Sequence, residues 1–267
     1  MSVDRNSVSP SESADAGQLA GALADTLEAI EWLERFERPY LLARYQASLG
    51  ELEVRLLGLK VEHRAYRSRV ELGHARLRRG EPLSSLALAA IERAVASEVL
   101  AWQALEADHT RVLAESQRHP GGRPPLDPAR VTRCRSAWRR LARHLHPEIR
   151  PDEALAERYW SKVDDAYRDM DAGLLDALAP FIEREVATAQ RPFPAGAAAR
   201  LGNLLDIRRK RLSRMSSQAP FCWADDLEDP EWVAEKQAAL ATEIETESDA
   251  LAALVLEFAS MSATTIK

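Results

Sequence analysis

The residues best suited to chemistry lie in one stretch, Trp138-Arg139-Arg140-Leu141-Ala142-Arg143-His144-Leu145-His146-Pro147-Glu148. Arg139, Arg140 and Arg143 point away from the apolar face of this helix, where guanidiniums steer toward an acidic partner and grip its carboxylates bidentately. An imidazole and a carboxylate follow, separated by one proline. Pro147 disfavours helical backbone at His146, so the basic helix ends there and both side chains are expected on display at a hairpin tip. Further on, Trp160, Val163, Ala166 and Tyr167 share one face of a second helix, placed to zip against Trp138, Leu141 and Leu145. Cys134, one turn before Trp138, falls on the same face and reads as a small buried hydrophobe rather than a reactive thiol.

These groups make a contact surface, not a catalytic centre. His144 and His146 are two residues apart and face different sides of a helix, and no nearby Cys or carboxylate spacing completes a metal site. The sequence has no glycine-rich phosphate loop, nucleophile elbow or metalloprotease helix. A non-enzyme without catalytic residue, metal or cofactor is therefore expected. Nucleic acid is an unfavoured partner: no stacking aromatics interleave the arginines, and the net charge is -6.

A basic helix running into His-Pro-acid, followed by a helix ending in Ala166-Tyr167, resembles the J-domain of DnaJ-type co-chaperones. The resemblance implies a helical hairpin that docks on a DnaK-type chaperone ATPase. His146, Pro147, Glu148, Arg139, Arg140 and Arg143 would carry the contact, over a core of Trp138, Leu141, Leu145, Trp160, Val163, Ala166 and Tyr167. Two departures matter. Glu148 stands where the family has Asp, and its extra methylene displaces the carboxylate by about a C–C bond length, which weakens the case for ATPase stimulation. The usual first J-domain helix is also missing before Pro128, and the end of an upstream hairpin is expected to take its packing role. The alternative function is a coiled-coil structural adaptor with a vestigial J-like hairpin. The whole order of elements is also similar to a group of bacterial proteins that join a long helical hairpin, a J-like module and an acidic helical tail.

The elements that must hold this stretch are legible from periodicity. Tyr45, Leu49, Leu52, Leu56, Leu59, His63, Tyr66, Val70, Gly73 and Leu77 step by four and three, as do Leu88, Ile91, Val95, Glu98 or Val99, Trp102, Leu105, His109 and Val112. Between them lies Arg79-Gly80-Glu81-Pro82, a helix stop and restart. Two matched seams around a tight turn predict an antiparallel, coiled-coil-like hairpin with arms of about 30 residues, roughly 45 Å long. His63 and His109 fall on these seams and read as polar register markers, with a paired-imidazole pH switch as the alternative. Earlier, Leu23, Leu27 and Ile30 mark a helix over about 22–35, and Pro39 restarts the chain. Toward the end, Leu201, Leu205, Arg208, Leu212 and Met215 form one seam. Asp229-Pro230-Glu231 then opens a last helix carrying Val233, Leu240, Ile244, Leu251, Leu254, Phe258 and Met261.

The expected class is all-α: antiparallel coiled-coil-like hairpins flanking the J-like module. The expected divisions are a disordered tail over 1–20, an N-terminal hairpin over 21–119, the J-like module over 126–190 and a C-terminal hairpin over 196–267. Gly is scarce, with 11 in 267 residues, and β-branched alternation is rare, which disfavours an extensive sheet. Two cysteines, Cys134 and Cys222, make no disulfide framework. The start lacks the basic-then-apolar order of a signal peptide and no apolar run reaches a membrane span, so a cytoplasmic protein is expected, with self-association through the hairpins. Arginines dominate Gly121–Arg150 and acids dominate Asp225–Glu257, which reads as solvated faces or as two mutually attracting blocks.

Overall fold

The computed structural model describes residues 10–118, 127–151, 154–189 and 192–264, and every regular element among them is helical. The helices are α1 (Pro10–Trp32), α2 (Arg38–Tyr45), α3 (Glu51–Arg78), α4 (Ser85–Arg118), α5 (Pro128–Leu145), α6 (Ala154–Arg168), α7 (Ala172–Ala189), α8 (Ala197–Ser216) and α9 (Pro230–Thr264). Pro39 does not break the chain as expected. It sits inside α2, after the π-helical turn Leu33–Glu37. A widened turn relieves the clash between a proline ring and the carbonyl four residues earlier.

The chain divides into two compact units, 1–41 with 123–223 and 42–122 with 224–267. This corrects three expected boundaries. Helix begins at Pro10, and Ala16 and Ala20 are buried in the core of the first unit, so the 1–20 tail is not disordered throughout. α1 packs on α5 and α8 and so leaves the expected 21–119 hairpin. α8 and α9 belong to different units, so the 196–267 hairpin does not form. For α1 beyond residue 21 and for α8, the expected seam is helical, but its partners lie far away in sequence.

In the first unit, one core joins α1, α5, α6, α7 and α8. α5 starts where Asp127 accepts a hydrogen bond from the Ala129 N–H, with Pro128 at the first position. It ends at His146, whose extended backbone (φ -65°, ψ 128°) is the conformation a following proline requires. The turn after α6 closes on Met170, a left-handed residue (φ 52°) whose carbonyl accepts a hydrogen bond from Arg130 Nε at 2.6 Å. α1, not the end of an upstream hairpin, packs beside α5. Its Glu28 is 1% exposed and accepts from Arg135 Nε and Nη2 at 2.6 and 3.0 Å and from the Tyr167 hydroxyl at 2.6 Å.

In the second unit, α3 carries α4 on one side and α9 on another. The turn between α3 and α4 uses Gly80 at φ 73°, a left-handed position suited to glycine. The core is small: Ala65, Val70, Leu83, Ile91, Val95, Val99 and Met261. The Met261 methyl of α9 packs over Gly73, where a Cβ would lie 2.6 Å from it and would make that flexible side chain shift. Two partners widen the buried face of α3, so Val61, Ala65 and Ser68 are buried while Leu77 of the expected seam is exposed. On α4 the seam is buried through Val99, but Trp102, Leu105 and Val112 are exposed. His63 meets Glu247 of α9 at 2.5 Å rather than His109. No helix among the described residues is long and apolar enough to cross a membrane.

Candidate functional site

The residues singled out in sequence converge on the junction of α5, α6 and the loop between them. Trp138, Leu141, Leu145, Val163 and Tyr167 are completely buried and Ala166 nearly so, while Trp160 packs at the margin. The Trp138 ring lies 5.4 Å from both Trp160 and Tyr167. His146 completes an aromatic cage, edge-on to Trp160 at 4.7 Å and to Trp138 at 6.0 Å.

This cage fixes the state of the imidazole. Burial pushes His146 down to about 4, against the upward pull of Glu148 and Asp164 and with a smaller downward push from Arg208. The ring is therefore neutral at pH 7. Its Nδ1 accepts a hydrogen bond from the Glu148 backbone N–H at 3.1 Å, which leaves the proton on Nε2. A neutral ring hydrogen-bonded within its own loop braces the turn.

Glu148 is not displayed at a free tip. Arg208 of α8 grips its carboxylate with Nε at 2.8 Å and Nη2 at 2.5 Å, and this bond raises the Arg208 pKa further. Arg200, two turns earlier on α8, donates to the carbonyls of Glu148 and Ile149 at 2.7 and 2.8 Å. Ile149 is completely buried, and Pro147 is exposed. The loop is thus clasped by two arginines and anchored by an isoleucine. The expectation of an exposed acid fails because an opposite charge, spaced correctly along α8, neutralises it within the chain.

The α5 arginines are also largely engaged. Arg140 pairs with Glu183 of α7 at 2.9 Å, Arg133 with Asp176 of α7, and Arg139 lies 3.9 Å from Asp25 of α1. Arg143 is exposed and has no carboxylate partner among the described residues. The acids of α9 meet bases of α3 instead: Glu243 with Lys60, Glu247 with His63 and Glu257 with His74. The ion pairs that these opposed charge blocks make among the described residues join residues of the same unit, and not every member of either block has such a pair.

Sequence reasoning missed Glu28, Arg200 and Arg208 as members of this site. Arg208 did carry a signal, because it occupies an apolar seam position between Leu205 and Leu212, where a long cation needs a partner. Glu28 follows Leu27 on the inner side of α1, with no pattern pointing to α5. Cys134 is fully buried, and burial pushes its thiol up, away from the reactive thiolate. The described residues hold no group of three His, Cys, Asp or Glu able to bind a metal ion. No family model, curated protein or solved structure matches this chain.

Proposed function

We propose that this chain is a non-enzymatic, J-like chaperone-binding protein of the cytoplasm that contacts a DnaK-type ATPase and stimulates it weakly. One observation carries the reading: the His146-Pro147 loop is held in an aromatic cage of Trp138 and Trp160, where an arginine-rich helix meets a helix ending in Ala166-Tyr167. The docking surface would comprise Arg143, the rim arginines Arg139 and Arg140, and the exposed Pro147. Weak stimulation follows from the clasp, since the Glu148 carboxylate is already matched by Arg208. Single-turnover ATP hydrolysis by the chaperone, with the full chain added, tests this. Competition with an authentic J-protein should be seen, and Arg143→Glu should abolish it. Arg208→Ala should raise stimulation by freeing Glu148. Absence of both competition and stimulation would end the proposal.

The clasp itself favours a second reading, an adaptor in which the J-like hairpin has become an internal joint. In that case partners recovered by the full chain are insensitive to Arg143→Glu and to His146→Gln. Self-association, read by sedimentation of the full chain, would arise through the long helices of the 42–122 and 224–267 unit, where Trp102, Leu105 and Val112 are exposed.

A further inference from the structure

A different face of the first unit combines unfilled apolar surface with unmatched charge. On α7, Leu174 and Phe181 are seven residues apart and so share a face two turns long, and they are 44% and 48% exposed. Leu178 lies half-buried between them. The Phe181 ring packs edge-on against Tyr159 of α6, with centroids 5.7 Å apart. Arg158 and Lys162, one turn apart on α6, flank that tyrosine, with their charged ends 5.9 and 5.8 Å from its ring.

Neither cation has a carboxylate partner among the described residues. Their neighbours contrast with them. Arg168 on the same helix pairs with both Asp164 and Asp165. Asp176 and Glu183 of α7 turn away to Arg133 and Arg140 of α5. Glu185, one turn beyond Phe181 on α7, pairs with no cation among the described residues. The result is a leucine and phenylalanine stripe bordered by a phenol and two free cations.

We propose that this α6–α7 face docks an acidic amphipathic helix of a partner protein. A stripe with i, i+4, i+7 spacing accepts the apolar face of another helix laid along it. Arg158 and Lys162, four residues apart, would meet carboxylates one turn apart on that helix. Exposed aromatic and arginine side chains in one patch are the composition that concentrates binding energy at protein interfaces. Two cations are too few for a phosphate track, and aliphatic Leu174 offers no base-stacking plane, so a protein partner fits better than nucleic acid. The proposal stands apart from the chaperone reading, which uses α5 and the 146–148 loop.

The test uses the full chain with a synthetic 20-residue helix carrying leucines at i, i+4 and i+7 flanked by glutamates. A matched peptide has lysines in place of the glutamates. Calorimetry should detect binding of the glutamate peptide only. Arg158→Glu with Lys162→Glu should weaken it at least tenfold, as should Leu174→Ser with Phe181→Ser. The milder pair Arg158→Gln and Lys162→Gln should give a smaller loss with an unchanged circular-dichroism spectrum. Failure of the glutamate peptide to bind overturns the proposal. So does equal binding of both peptides, indifference to the cation substitutions, or tighter binding of anionic lipid vesicles or single-stranded RNA through the same residues.

Discussion

The unit built from 1–41 with 123–223 and the unit built from 42–122 with 224–267 are both helical, yet they bury different things. In the first, Trp138, Leu141, Leu145, Tyr167 and Leu201 have no exposed surface, and the Glu28 carboxylate is sealed beside Tyr167 while Arg135 reaches it from the surface. In the second, the best-buried core residues keep about 2% exposure and the charged pairs lie outside the core. The difference follows from chain path. Five helices from distant parts of the sequence enclose a centre in the first unit. Two long helices laid along α3 in the second leave each other's far ends open. A single lost contact should therefore be costly in the first unit and minor in the second.

The largest effect is expected at Glu28. Truncation to alanine leaves the Arg135 guanidinium and the buried Tyr167 hydroxyl without their acceptor. Because Arg135 keeps 32% of its side chain in solvent, the cost lies at the low end for breaking a buried pair, roughly 3 kcal/mol. Urea unfolding followed by tryptophan fluorescence would measure it. Replacing both members, Glu28→Leu with Arg135→Met, should recover the part of the loss due to the orphaned guanidinium but not the part due to the buried Tyr167 hydroxyl, which still lacks its acceptor. A loss below about 1 kcal/mol for Glu28→Ala would erase the contrast between the units.

Acid should come next, and again through the first unit. The His146 pKa lies near 4 in the folded chain, below its ordinary value of 6.5, so folding favours the neutral ring. The stabilisation is complete above about pH 6.5 and is lost as pH falls toward 4. Glu148, Asp164 and Arg208 face the ring and modulate this window. The stability at stake is on the order of 2 to 3 kcal/mol. His146→Gln should flatten the stability profile between pH 6.5 and 4, and a profile as steep as that of the parent would assign the acid sensitivity elsewhere.

Arg208→Ala is expected to cost less, about 1 kcal/mol, because both members of its pair with Glu148 retain partial solvent contact. Its clearest signature is local. Amide exchange at Glu148 and Ile149 should quicken while that of α3 and α9 stays constant. Uniform acceleration through both units would mean that the clasp supports global folding and not merely the loop.

What was legible in the sequence follows the same division. Helical class, the stop at His146 before Pro147 and the Trp138–Tyr167 face are short-range consequences of residue type, and all are readable from spacing. Which helices pair was not readable. Leu23 and Leu27 announce an apolar face on α1, but nothing local says that it meets α5 and α8 rather than its neighbours in sequence. The clasp was missed for a related reason: Glu148 looked like a free acid because its partner lies sixty residues on. Only the misfit of Arg208 on an apolar seam hinted that it had a buried task.

The smallest effect should come from the Lys60–Glu243 pair between α3 and α9, which sharpens the comparison from the other side. Its two side chains meet at 2.6 Å but keep 41% and 49% of their surface in solvent. Water screens their attraction, and holding two long side chains in one geometry costs entropy that offsets most of the gain. A double-mutant cycle with Lys60→Ala and Glu243→Ala should give a coupling of about 0.2 to 1 kcal/mol. In 1 M salt, where the Debye length is about 3 Å, even that should fade. The same cycle at Glu28 and Arg135 should give a severalfold larger coupling that survives salt, because ions do not reach a carboxylate that is 1% exposed. Equal couplings at the two pairs, or equal salt sensitivity, would show that depth of burial does not set the worth of charge in this protein.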